Sequence, residues 1–252
     1  MKGRLHSIET MGLVDGPGIR TVIFLQGCPL RCAYCHNPDS QTMFSNKEIT
    51  PEEVLNIGRR YKKYYDRSGG GITFSGGEPL LQGEFLLESL KLLKKNGFNT
   101  AVDTSGYGNE KYFNKILKYV DTLILDIKHF DTKGYKEVTG FSMGGFYKFL
   151  TYLENFKGKL WIRHVMVPGI TDNEEAMIKL FKNIGHLADR IEKIEILPYH
   201  KMGLEKYDDL GIEYTLKDVP EMNPNKAMEY QEMLLEMLII EKEKATKQKK
   251  II

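Results

Sequence analysis

All three cysteines of this chain stand in one short run, Cys28-Pro29-Leu30-Arg31-Cys32-Ala33-Tyr34-Cys35-His36-Asn37-Pro38. Their odd number rules out a purely intramolecular disulfide framework, and the spacing C-x3-C-x2-C lets thiolates of one loop converge on one small object. The expected object is a metal cluster. An iron–sulfur cluster that only carries electrons takes four thiolates, one per iron. Three leave one iron without a protein ligand, which suits a site where a substrate or cofactor binds the metal directly. Two readings compete on spacing alone. One is a closed zinc site of Cys28, Cys32, Cys35 and His36, in which the adjacent residues 35 and 36 chelate one ion poorly. The other is a thioredoxin-type Cys32-x-x-Cys35 pair, which neither the third cysteine nor the strand order matches.

Composition excludes partners more than it names them. Lys plus Arg number 36 and Asp plus Glu 34. The resulting net charge of +2 gives no electrostatic case for nucleic acid or an anionic membrane surface. The opening residues Met1-Lys2-Gly3-Arg4-Leu5-His6 lack a signal-peptide apolar run, and no segment approaches the ~20 apolar residues of a membrane span. A cytoplasmic monomer is expected. In a reducing compartment, clustered cysteines serve as metal ligands, redox devices or nucleophiles rather than structural bridges. The reading is a single domain over 1–252, with a core of about 14–205 and a helical extension of about 221–247.

The continuous apolar, β-branched run at 21–25 marks a parallel strand covered on both faces, and a repeating β/α alternation places further strands at 71–74, 100–102, 123–127, 160–165 and 194–197. Helical periodicity falls between them. Thr50-Pro51-Glu52-Glu53 gives an N-cap, an N1 proline and a capping-box glutamate, followed by Val54, Ile57, Tyr61 and Tyr64 on one face. Further faces are Leu86, Leu90 and Leu93; Phe113, Ile116, Leu117 and Val120; Phe146, Phe149, Leu150 and Leu153; and Met177, Leu180, Phe181 and Ile184. A terminal helix carries Ala227, Tyr230, Leu234, Met237 and Leu238, and the charged run Glu241–Lys250 reads as its fraying end. The run Val14-Asp15-Gly16-Pro17-Gly18-Ile19-Arg20 is turn-forming, either a surface hairpin or a place where backbone approaches something closely. Six β/α units favour an α/β fold built as a partial (β/α)6 barrel, open on one side, with a C-terminal helix; a doubly wound sheet is the weaker alternative.

In that fold, chemistry gathers at the strands' C-terminal ends. Those ends carry the three cysteines, Ser75-Gly76-Gly77-Glu78-Pro79, Asp103-Thr104, Asp126 with Lys128, Arg163, and His200. Each has a bland reading, such as a tight turn for Gly76-Gly77 or a salt bridge for Asp126 with Lys128. On a strand, however, i and i+2 share a face, which suits an acid and a base on one ligand. Of six histidines, His6, His129, His164 and His186 have weak claims, and His36 and His200 stronger ones from where they stand.

These motifs carry a resemblance. Cys28-x3-Cys32-x-Tyr34-Cys35 followed by Ser75-Gly76-Gly77-Glu78-Pro79 resembles the radical S-adenosylmethionine enzymes. Within them, Asp15-Gly16-Pro17-Gly18-Ile19-Arg20, Cys35-His36-Asn37-Pro38, Asp103-Thr104-Ser105-Gly106, Leu125-Asp126-Ile127-Lys128, Val167-Pro168-Gly169 and Leu197-Pro198-Tyr199-His200 are similar to the activase family of pyruvate formate-lyase, over about residues 3–205. The resemblance implies that Cys28, Cys32 and Cys35 ligate a [4Fe–4S] cluster whose fourth iron is chelated by S-adenosylmethionine (SAM). One electron then cleaves the sulfonium C–S bond to methionine and a 5′-deoxyadenosyl radical. It implies cofactor contacts from Tyr34, Cys35, His36, Gly76, Gly77, Glu78, Asp126, Ile127, Lys128 and His200, with the backbone of 76–78 on the amino group. It also implies a monovalent-cation site (Na+ or K+) of Asp103, Thr104 and Asp126. The implied substrate is a glycine of pyruvate formate-lyase, contacted by Asp15 and Arg163, and the implied electron donor is a flavodoxin or ferredoxin. Alternatives are another radical enzyme of the superfamily, either an activase for a different partner or a small-molecule enzyme such as a 7-carboxy-7-deazaguanine synthase, and a non-catalytic iron–sulfur or zinc protein. Activases that carry an inserted ferredoxin-like segment have extra cysteines, and this chain has three in all.

Overall fold

The apolar runs expected as strands are strands, because residues buried on both faces lose least when their backbone groups pair in a parallel ladder. The computed structural model describes residues 1–249. Cα packing divides it into two units, the first of residues 1–30, 37–125 and 145–159 and the second of 31–36, 126–144 and 160 onward.

In the first unit β2 (Arg20–Leu25), β4 (Gly71–Gly76), β5 (Thr100–Thr104) and β6 (Thr122–Asp126) pair in parallel, in that order. Val22, Ile23, Ile72, Phe74, Val102, Leu123 and Ile124 are all fully buried. Two strands exceed the expected set: β1 (Gly3–Gly12), antiparallel to β2, and the short β3 (Lys47–Ile49) beyond it. No apolar period announces β1, whose Ile8 and Met11 are exposed; its ladder to β2 makes it a strand. Since β1 and β4 occupy both edges of β2, the parallel sheet cannot close upon β2, and the expected openness is built in at this edge.

Helix α1 (Pro51–Ser68) begins with the full reciprocal capping box of Thr50 and Glu53 and ends at Gly69 in the left-handed conformation. Its buried stripe is Val54, Leu55, Gly58 and Tyr65, while the expected Tyr64 is exposed. The helix is turned because Gly58 lets it approach β4: a Cβ there would lie 2.6 Å from Ile72 Cδ1. Helices α2 (Gly83–Lys95) and α5 (Gly144–Leu153) bury the expected faces. Helix α3 (Phe113–Leu117) buries Phe113 and Ile116, leaves Leu117 half-buried and ends before Val120, which is buried after the turn that follows. Phe113 and Phe149 pack edge to face at 4.9 Å. Between α3 and α5 comes an unexpected helix of the second unit, α4 (Thr132–Thr139).

In the second unit β7 (Lys159–Met166) and β8 (Ile191–Pro198) pair in parallel, with α6 (Glu174–Ile184) between them in sequence. After β8 come a short helix α7 (Leu204–Asp209) and the long α8 (Pro224–Lys249). The charged end expected to fray is helical through Lys249; Lys250 lies outside the described residues. Leu234 and Leu238 bury α8, Gln231 accepts from the Ile196 N–H at 2.9 Å, and Lys242 donates to the Ile191 carbonyl at 2.7 Å. No described helix is long and apolar enough to cross a membrane.

His164, on β7, is wholly buried, donates from Nδ1 to the Ile127 carbonyl at 2.6 Å and leaves Nε2 without a partner. Burial pushes its pKa down to about 4, so the folded protein keeps it neutral while the unfolded chain takes up a proton near 6.5. Stability is therefore unaffected by this group above pH 6.5 and falls by up to about 3 kcal/mol as pH drops toward 4. In thermal melts across pH 7 to 4, His164→Asn should lose its midpoint less steeply than wild type. Parallel curves would contradict the assignment.

Candidate functional site

Two groups of the expected residues form, one in each unit. In the first, β4 ends in Gly76, whose φ of +113° turns the chain so that Gly77 N–H donates to Leu25 O (2.8 Å) and Glu78 N–H to Gly27 O (2.9 Å). The strand-end turn is thereby stitched to the residues immediately before Cys28. Neither glycine has room for a side chain: a Cβ on Gly76 would sit 2.3 Å from Leu25 N, and one on Gly77 2.3 Å from Gly27 O. Both N–H groups of the turn, at Gly77 and Glu78, are thus spent inside the protein.

The Glu78 carboxylate has a different task. It is buried and accepts from Leu80 N–H (3.0 Å), Thr104 Oγ1 (2.6 Å), Ser105 N–H (2.8 Å) and Ser105 Oγ (2.6 Å). Burial pushes its pKa up, while the hydroxyls and N–H groups that it accepts from pull it back. Ser75 Oγ donates to Asp103 Oδ2 at 2.9 Å. The two motifs after β4 and β5 are thus one hydrogen-bonded structure. Because strand residues alternate, Asp103 and Thr104 face opposite sides. Thr104's hydroxyl is engaged by Glu78 and Gly106 N–H.

Asp15 joins this unit through its backbone: Thr73 Oγ1 donates to the Asp15 carbonyl at 2.7 Å. Thr73 and Ser75 share a face of β4, so the Asp15 loop lies on the side that carries Ser75 and Asp103. Both readings of the glycine run hold in part. Leu13 and Val14 are exposed at its tip, whereas Gly18 packs on the backbone of Ser68 and Gly70. The bolt is Arg20, fully buried, which donates to Thr73 Oγ1 (2.6 Å), Pro17 O (2.9 Å), Asn99 Oδ1 (3.0 Å) and Ile72 O (3.0 Å). Burial lowers its pKa to about 10, so it stays protonated at neutral pH.

In the second unit, residues 31–36 are held from α4, where Arg31 N–H donates to Thr139 O and Ala33 N–H to Val138 O, both at 2.8 Å. Tyr34, buried, donates its hydroxyl to Lys128 O at 2.9 Å. Lys128 Nζ donates to Asp126 Oδ2 at 2.6 Å, while Asp126 Oδ1 is buried without a partner. Burial pushes the Cys32 thiol up to about 12, and the neighbouring Lys128 ammonium opposes that shift. Desolvation would lower Lys128 itself, but Asp126, Cys32 and Tyr34 together hold it well above its ordinary value. The His36 and His200 rings meet at a tilt of 33° with centroids 4.2 Å apart, and His36 Nε2 donates to the His200 carbonyl at 3.3 Å. Burial, then His200, lowers the His36 pKa. Arg163 is buried and paired with Glu195 at 3.2 Å.

All three cysteines are free thiols, Cys32 buried and Cys28 and Cys35 half-buried. Among the described residues no three or more His, Cys, Asp or Glu side chains are gathered as a ready metal centre. The ligand set rests on the C-x3-C-x2-C spacing and on donor chemistry. Three soft sulfurs suit an iron–sulfur cluster, and a buried ammonium beside Cys32 suits its negative charge. In the second unit the orphaned Asp126 Oδ1 suits a ligand hydroxyl, and in the first the turn at Gly76-Gly77 lets a ligand approach backbone closely. Sequence reasoning missed the side-chain role of Glu78, the bolt Arg20 and the tyrosines 199, 207 and 214. The concentration of Tyr and His in residues 199–214 was the available signal for the last of these.

Residues 22–181 match the radical SAM superfamily. A pyruvate formate-lyase-activating enzyme of Clostridium pasteurianum is 53% identical over 236 residues, 94% of this chain and 98% of that one. One from Staphylococcus epidermidis is 48% identical over 226 residues, 87% of this chain and 90% of the other. A solved domain of a pyruvate-formate lyase-activating enzyme from Bacteroides vulgatus shares the fold, with a TM-score of 0.53 at 23% identity over 69% of this chain and 95% of that one. This chain therefore belongs to the radical SAM superfamily and, within it, to the family of pyruvate formate-lyase-activating enzymes.

Proposed function

We propose that this chain activates a pyruvate formate-lyase by removing a Cα hydrogen from one glycine of that enzyme, leaving a glycyl radical. The observation that carries this reading is that relatives similar over nearly the whole of both chains bear that activity in their names. When bound, a [4Fe–4S] cluster with S-adenosylmethionine supplies one-electron cleavage of the sulfonium C–S bond and the carbon radical that takes the hydrogen.

The chain's own residues bind, aim and exclude water. Cys28, Cys32 and Cys35 are the cluster's thiolate ligands. The carbonyls of Gly76 and Gly77 accept from the cofactor's amino group, with the Glu78 carboxylate holding their turn rigid. Asp126 Oδ1 takes a ribose hydroxyl, and Lys128 faces the carboxylate. Tyr34, His36, Ile127 and His200 line the cofactor with ring and apolar surface. Asp103, Thr104 and Asp126 supply hard oxygen for Na+ or K+. Asp15 and Arg163 contact the glycine-bearing loop, whose placement within roughly 3 to 3.5 Å of the reacting carbon is the main catalytic demand. A flavodoxin or ferredoxin is the electron donor, and the enzyme acts as a monomer in the cytoplasm.

The test is anaerobic reconstitution followed by reduction in the presence of S-adenosylmethionine. Methionine and 5′-deoxyadenosine should form in equal amounts. A fully loaded, reduced protein that leaves the cofactor intact would sink the reading.

A further inference from the structure

The segment after β8 folds back onto the cysteine loop. Tyr199 is anchored at the strand ends, its N–H donating to Met166 O at 3.0 Å and its carbonyl accepting from Met222 N–H at 2.8 Å. Tyr214 donates its hydroxyl to the Tyr199 hydroxyl at 2.8 Å, which donates onward to Leu216 O at 3.3 Å. Tyr207, on α7, packs edge-on to Tyr214 at 4.7 Å and donates its own hydroxyl to the Cys35 carbonyl at 3.0 Å. All three rings are buried. Gly203 lies against the next residue, where a Cβ would meet His36 Cα at 3.1 Å, and the His36 and His200 rings are in tilted contact at 4.2 Å. Cys35 N–H donates to Cys32 O at 3.0 Å, so both backbone polar groups of Cys35 are held.

We infer that residues 199–216 form a tyrosine strap and that Tyr207 is a positioning residue for Cys35, fixing the peptide that carries one cluster ligand. The physical reason is that Cys35 ends the loop. The Arg31 and Ala33 N–H groups are tied to α4, but beyond the Cys32–Cys35 turn the loop's last carbonyl is tied by one side-chain hydroxyl. Without that bond, peptide 35–36 can rotate, and the thiol it aims leaves its metal more often. The inference rests on Cys35 being a cluster ligand.

The test compares wild type, Tyr207→Phe and Tyr214→Phe, each reconstituted anaerobically. Iron release to an excess of a strong chelator is followed together with the electron paramagnetic resonance spectrum of the reduced cluster and the melting temperature of the apoprotein. Tyr207→Phe should release iron about fivefold faster, the factor expected for one lost neutral hydrogen bond. It should also show an altered cluster spectrum, while its apoprotein melts no lower than that of Tyr214→Phe, which likewise loses one neutral hydrogen bond. Tyr214→Phe, which keeps the Tyr207 hydroxyl, should release iron at the wild-type rate. Equal release from Tyr207→Phe and wild type would overturn the proposal. So would equally fast release from both variants, or a Tyr207→Phe apoprotein that melts well below Tyr214→Phe or fails to fold, because each assigns the hydroxyl to packing of the strap. Wild type that takes up no cluster would instead remove the ligand reading itself.

Discussion

Gly77→Ala is expected to melt roughly 6 to 12 °C below wild type, the consequence of about 3 kcal/mol in a chain of this size. The new methyl would stand 2.3 Å from Gly27 O and 2.9 Å from Ser40 O, and both are backbone atoms that no rotamer change can move. Relief requires the turn at 76–78 to part from Gly27, which breaks the Glu78 N–H to Gly27 O bond and releases the chain just ahead of Cys28. The damage should therefore reach cluster loading as well as stability. Gly97→Ala is the control: Gly97 has a φ of +72° and nothing within 4 Å, so alanine there costs only the left-handed backbone, about 1 kcal/mol. Equal melting temperatures for Gly77→Ala and Gly97→Ala would show that the contact is not tight in solution.

Cys32→Ala should lower iron after reconstitution from about four per chain to near none, while leaving the fold intact. Cys32 is the middle thiol of the three, buried next to the Lys128 ammonium, and its neighbours are pinned through backbone groups that alanine keeps. The small side chain fits the same space, so the loss is one of ligand chemistry and not of folding. Circular dichroism matching wild type together with absent charge-transfer absorption near the visible range is the expected outcome. Retention of a full cluster would remove Cys32 from the ligand set.

Much of this arrangement could be read from residue order. β2, β4 and β6 declared themselves because they are buried on both faces, so apolar residues predominate along them, and the polar groups at the strand ends stood out against that background; β8 alternates buried and exposed residues and was legible from the β/α alternation instead. The capping box of α1 was legible for the same local reason. What escaped depends on partners distant in sequence. β1 is a strand because β2 lends it a ladder, not because of its own pattern. The face of α1 is set by Gly58 against Ile72, a contact that periodicity within one helix cannot reveal.

The candidate site divides along the same line. Ser75-Gly76-Gly77-Glu78-Pro79 and Asp103-Thr104-Ser105-Gly106 were recognisable as separate motifs, but that Glu78 ties one to the other through three donors of Thr104 and Ser105 requires the fold. Arg20 looked like the end of a glycine-rich turn and is instead the buried cation on which that turn closes. The strap tyrosines are spaced by a loop and a short helix, so no period links them, and only the fold brings Tyr207 to Cys35.

The central claim is that this chain installs a radical on a glycine of pyruvate formate-lyase. Its most direct test is electron paramagnetic resonance of the two proteins mixed anaerobically with S-adenosylmethionine and a reductant. The account predicts a glycyl radical doublet that requires all components and is absent with Cys32→Ala. Cofactor cleavage proceeding without that doublet would contradict it.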